Sequence, residues 1–65
     1  MSDVTIEMGD RVRVIFGEYE GEVGLIVGLL VFMKDNPALN MYDVHLSFGI
    51  RTLRGSDLQR VEAPN

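Results

Sequence analysis

Cysteine and tryptophan are both absent from this chain, and histidine occurs once. The missing cysteines exclude disulfides, thiolate zinc sites, iron–sulfur ligation and thiol catalysis. A lone His45 excludes any metal site that needs two imidazoles. Proline is scarce too, with two residues in the chain. No apolar run is long enough for a membrane helix. The longest uncharged stretch, Val23 to Met33, falls well short of the roughly 20 residues needed to cross a bilayer. The segment from Met1 to Asp10 has no apolar core of the signal-peptide kind. Cations are also few. Six Lys and Arg stand against ten Asp and Glu, a formal charge of −4.

What remains is enough for one small domain. Of the 65 residues, 46% are hydrophobic and 25% charged, the balance of a globular chain rather than a disordered one. A chain of this size buries only about 60% of its unfolded surface, so docking on something larger is a natural expectation. The expected locale is the cytoplasm, with residues 1–3 and 63–65 as frayed tails of a single domain over 1–65.

The apolar pattern has period two, the signature of half-buried strands. Val4, Ile6 and Met8 alternate with Thr5 and Glu7 ahead of a Gly9-Asp10 turn. In the strand predicted over 11–16, Val12 and Val14 share one face and Arg11 and Arg13 the other. Gly17 and Gly21 bracket a loop whose ends call for positive φ. The stretch 23–33 reads as one long strand, bent near Gly28, because two glycines and three valines disfavour a helix. Without a bulge, Val23, Leu25, Val27, Leu29, Val31 and Met33 would line one face, and Ile26, Leu30 and Phe32 the other.

Asp35-Asn36-Pro37 marks a polar loop over 34–40. From Met41 to Phe48 the pattern places Tyr42, Val44, Leu46 and Phe48 inward. Asp43, His45 and Ser47 fall on the outer side. Gly49 turns the chain into a return strand over 50–54. Gly55 to Gln59 reads as one helical turn capped by Ser56, before a closing strand over 60–62. Five short antiparallel strands with a late 3-10 turn predict an all-β fold, a small barrel.

The spacing Gly9-Asp10-x-Val12-x-Val14-Ile15-x-Gly17-x-x-x-Gly21-x-x-Gly24-x-Ile26 resembles a KOW motif. The Ser56-Asp57-Leu58 turn before a last short strand is similar to the ending of SH3-like barrels. Tyr42 to Phe48 and the closing Asp57-Leu58 are also similar to SH3-like accessory subunits of larger complexes. Those include the small stromal subunit of photosystem I, the variable chain of ferredoxin–thioredoxin reductase and the barrel of the nitrile hydratase β-subunit. The resemblance implies an SH3-like barrel that docks on a larger assembly and does no chemistry itself. In KOW form it also implies association with RNA, the ribosome or RNA polymerase. KOW loops that bind nucleic acid usually carry Lys or Arg near the second glycine. Here that glycine sits between Glu20 and Glu22, with Glu18 nearby. Affinity for nucleic acid comes mainly from neutralising phosphates, which these glutamates oppose.

The candidate protein-binding residues are therefore Phe16, Glu18, Tyr19, Glu20 and Glu22 of the first long loop, and the apolar Ile26, Leu30 and Phe32. The expected partner is a protein complex or a second copy of the chain. The alternative, RNA-directed set is Arg11, Arg13, Arg51 and Arg54, if their strands pair into one basic face. Asp43, His45 and Ser47 share a strand face but point in parallel, not in the converging geometry of a catalytic triad. Nothing in the sequence marks a nucleophile–base pair, a phosphate-cradling loop or a small-molecule substrate. Neither a cofactor nor a metal is expected.

Overall fold

The computed structural model describes residues 6–31, 35–36 and 39–61. Within them the fold is all-β. Its strands are β1 (Arg11–Val14), β2 (Val23–Val31), β3 (Met41–Leu46), β4 (Gly49–Arg54) and β5 (Leu58–Arg60). A 3-10 turn, Gly55–Asp57, precedes β5. All strand pairs are antiparallel and form one five-stranded sheet in the order β4-β3-β2-β1-β5.

A single sheet has no second layer to cover its apolar face. That face is buried only if the sheet curls onto itself. The core has this form. Val12 and Val14 of β1, Ile26 of β2, Tyr42, Val44 and Leu46 of β3, and Leu58 of β5 make one buried cluster. Ile6, Tyr19 and Leu53 pack around its margin. Period two accounts for most of it. Val12 and Val14 are buried between exposed Arg11 and Arg13, and Tyr42, Val44 and Leu46 alternate with Asp43 and His45 as expected.

β2 departs from simple alternation. Its register with β3 runs Leu25 to His45 and Ile26 to Val44, then jumps to Gly28 opposite Asp43. A second jump takes it from Leu29 opposite Tyr42 to Val31 opposite Met41. Each jump spends two residues of β2 against one of β3, so Val27 and Leu30 are the extra residues of two bulges. A bulge bends its strand and resets which side faces the core. The bend expected near Gly28 therefore lies within a double irregularity, and neither unbroken face expected for 23–33 exists.

Ile26 is the main correction. Expected on a binding surface, it is 2% exposed and packs into the core opposite Val44. Leu30 is 57% exposed at its bulge, while Phe32 and Met33 lie outside the described residues. Other boundaries shift for local reasons. β1 ends at Val14, because Ile15 and Phe16 leave the ladder for the loop. Phe48, expected inward, occupies a two-residue turn with Ser47 between Leu46 and Gly49, and is exposed. Gly49 opens β4 rather than preceding it. The 3-10 turn carries no side-chain cap, so Ser56 does not cap it. The closing strand pairs at 58–60, not 60–62, because Leu58 must reach the core opposite Val14. Ile6 to Met8 is not a strand, and Val4 and Thr5 lie outside the described residues.

Polar groups inside the fold are paired. Buried Asn40 donates through Nδ2 to the Tyr42 hydroxyl at 3.1 Å. Its carbonyl accepts the Gly55 N–H at 2.7 Å, tying the start of β3 to the 3-10 turn. Asp10 accepts the Glu7 N–H at 2.8 Å, and Arg60 Nε lies 3.5 Å from the same carboxylate.

At Gly24 β2 runs close against β3, with no room for a side chain. A Cβ there would meet the His45 carbonyl oxygen at 2.5 Å and Leu46 Cδ2 at 2.8 Å. Overpacking of this kind costs about 1–3 kcal/mol, and each kcal/mol moves the midpoint of a domain this small by about 4–8 °C. Gly24→Ala should therefore lower the thermal midpoint by at least about 4 °C, read by circular dichroism. An unchanged midpoint would show that β2 and β3 can separate freely there.

Candidate binding surface

The loop between β1 and β2 is built by its own backbone bonds. Gly21 N–H donates to the Val14 carbonyl and Val14 N–H to Glu22, both at 2.8 Å. Glu20 N–H reaches Gly17, and Glu22 N–H reaches Tyr19, at 3.1 and 3.0 Å. Gly17 and Gly21 hold φ of 97° and 98°, a left-handed conformation that favours glycine. Ile15 N–H donates to the Asp57 carbonyl at 2.8 Å, which pins the loop's start to the 3-10 turn. The loop is thus a hydrogen-bonded platform rather than a slack connection.

On this platform Tyr19 turns toward β4. Its hydroxyl accepts a 3.1 Å bond from Arg51 Nε. The Arg51 guanidinium carbon lies 5.8 Å from the Tyr19 ring centre and 5.2 Å from that of Phe48. The two rings are 5.4 Å apart and tilted by 36°. Arg51 also donates to the Ile50 carbonyl at 3.0 Å, so its fork is held at both ends. Cation and rings attract through the ring quadrupole, by about 0.5–1 kcal/mol where water has access. The cluster joins the β1–β2 loop to the β3–β4 turn and gives this end of the sheet an aromatic surface with a fixed positive charge.

The candidates named from the sequence fall in different places. Tyr19 is half-buried at the core margin and anchors the cluster. Phe16 projects outward at 69% exposure, the largest value among the described large apolar side chains. Glu18 and Glu20 are exposed on the same loop, and Glu22 is partly covered at its end. Ile26 is withdrawn to the core. Leu30 sits at the second bulge of β2, apart from the loop, and Phe32 is outside the described residues.

The four arginines do not make one face. β1 and β4 are separated by β2 and β3. Arg51 pairs with core-facing Val44, whereas Arg54 pairs with Met41 on the opposite side of the sheet. Arg11 and Arg13 share that opposite side. An odd spacing of three residues on one strand sends Arg51 and Arg54 to different faces, which period two alone implies.

The sequence did not single out Phe48 as a surface aromatic. Alternation carries it inward if the strand extends through Ser47. The signal that could have found it is the Ser47-Phe48-Gly49 step, a two-residue hairpin turn next to a glycine. Among the described residues, no group of three or more His, Asp or Glu is placed to hold a metal ion. No helix among them is long and apolar enough to cross a membrane.

Ring currents from Tyr19 and Phe48 should move the Arg51 side-chain proton signals upfield in the NMR spectrum. Phe48→Leu should return them most of the way toward ordinary values, with a stability loss below about 1 kcal/mol for so exposed a contact. Arg51 signals that are unshifted in the parent protein would mean the stack is not populated in solution. Comparison with protein-family models, curated proteins and solved structures finds no match to this chain.

Proposed function

We propose that this chain is a non-catalytic SH3-like module that docks on a larger protein complex through the end of the sheet carrying the β1–β2 loop. The observation that carries the reading is the exposed aromatic loop itself. Phe16 stands clear of the fold on the same hydrogen-bonded loop as Tyr19, whose ring meets Phe48 and Arg51. Aromatic residues and arginine are the groups that most often anchor protein interfaces. A loop fixed by its own backbone bonds loses little conformational freedom on binding. Glu18 and Glu20 flank the aromatics and would meet a partner's basic rim.

The SH3-like part of the reading is supported by the strand order, with β5 returning to β1, and by the 3-10 turn just before it. The KOW-type alternative, association with RNA, the ribosome or RNA polymerase through Arg11, Arg13, Arg51 and Arg54, has weaker support. Those arginines lie on two faces, and three glutamates border the loop. Binding along a phosphate backbone calls for a continuous positive track.

The test is capture from native extract with the tagged chain, with and without nuclease, in parallel with Phe16→Ser and Tyr19→Ala. A protein partner should survive nuclease and be lost or strongly reduced with either variant, while both variants keep the parent's circular dichroism spectrum. Partners that vanish with nuclease, or that both variants retain, would overturn the docking reading.

A further inference from the structure

The loop end is not the only unpartnered surface. The ladder registers place Arg11 beside Leu25, Leu25 beside His45, and His45 beside Ile50. One row thus crosses four strands on the side of the sheet away from the core. Arg13 and Val23 continue it by one pair. On this side the aliphatic residues are open to water. Leu25 is 44% and Ile50 54% exposed, against complete burial of Val12 and Val44 on the other side.

The charge of this face opposes that of the chain. Arg51 is held by Tyr19 and Arg60 lies against Asp10. Arg11 and Arg13 make no ion pair or side-chain hydrogen bond among the described residues. The carboxylate of β3 on this side, Asp43, lies two residues along the strand from His45 and accepts the Thr52 hydroxyl at 2.7 Å. Arg54, opposite Met41, lies on the same side and is likewise without an ion pair or side-chain hydrogen bond among the described residues. An acidic chain of net charge −4 therefore presents three free arginines on this face, with Arg11 and Arg13 beside the exposed aliphatic strip.

We propose that this outer face docks an acidic amphipathic helix of a partner protein, at a site separate from the aromatic loop end. The charge selects an acidic partner, because guanidinium groups pair with carboxylates through two parallel hydrogen bonds. The dimensions select a helix. Leu25 and Ile50 lie two strand spacings apart, about 10 Å, which is the width of a helix with its side chains. Arg11 and Arg13 are about 7 Å apart along β1. Carboxylates at positions i and i+4 of a helix are separated by a rise of about 6 Å, so both can be met at once. A second copy of this chain seated on the same face by two-fold symmetry would set like charges together. Single-stranded nucleic acid needs ring faces for stacking, and the Tyr19 and Phe48 rings are engaged at the loop end instead.

The experiment is a nitrogen-15 NMR titration of the full chain with a synthetic helical peptide of about four turns, leucine on one stripe and glutamate along its edges. A twin with glutamine for glutamate and a uridine oligonucleotide are run beside it. The glutamate peptide should move the amides of Val23, Leu25, His45 and Ile50. R11E/R13E and Leu25→Ser should each weaken it by about tenfold, a change of 1.4 kcal/mol, while R11K/R13K retains most of it. Tyr19→Ala should leave the affinity unchanged, which separates this site from the proposed loop-end site. Four outcomes would overturn the proposal. These are equal binding of the glutamine twin, movement confined to Tyr19, Phe48 and Arg51, movement of this face by the oligonucleotide, and no movement at millimolar peptide. Concentration-dependent shifts of the same amides without peptide would overturn it in favour of a second copy.

Discussion

β2 is the strand on which the rest of the structure depends, because it must satisfy two neighbours with different demands. Val23 to Leu25 pair with β1, Leu25 to Val31 pair with β3, and the two pairings meet at Leu25. A straight strand cannot serve a sheet that buries one face against itself. The two bulges supply the bend, and Gly24 lets the backbone approach β3 where a side chain would collide with it. Without that bend, Val12, Val14 and Leu58 at one end of the sheet could not share a core with Tyr42, Val44 and Leu46.

The same strand explains how a small core coexists with so much exposed apolar surface. Among the described residues, the buried cluster draws one from β2, Ile26. Val23, Leu25, Val27, Leu29 and Leu30 remain substantially exposed. Some belong to the outer row, and others are placed by the bulges. Exposed apolar residues are ordinary when scattered. Several on one strand, bordered by arginines on the next, form a surface with a direction and a sign.

Much of the fold was legible because period two is a robust signal wherever one face is buried. Arg11 to Val14 and Met41 to Leu46 read correctly for this reason, as did the positive-φ glycines at 17 and 21 and the late 3-10 turn. β2 was legible as a strand bent near Gly28, but which of its faces is buried was not, since the run is apolar at nearly every position. Ile26 precedes both bulges, and its inward side follows from its place opposite Val44, a pairing the run itself does not encode. The loop end was half legible. Tyr19 and Phe16 stood out as aromatics near a turn. The arrival of Arg51 from β4 and of Phe48 from the β3–β4 turn depends on curvature that residue spacing does not encode.

The return of β5 to β1 matters to the core itself. The Val61 N–H donates to the Arg11 carbonyl at 2.8 Å, just past the last rung of that pairing. The first residue of β1 and the residue just after β5 therefore lie side by side, one strand spacing or about 5 Å apart. The last strand acts as a latch on the first: Leu58 reaches the core only while β5 is paired with β1, so peeling β5 away uncovers Val14 and opens one end of the buried cluster.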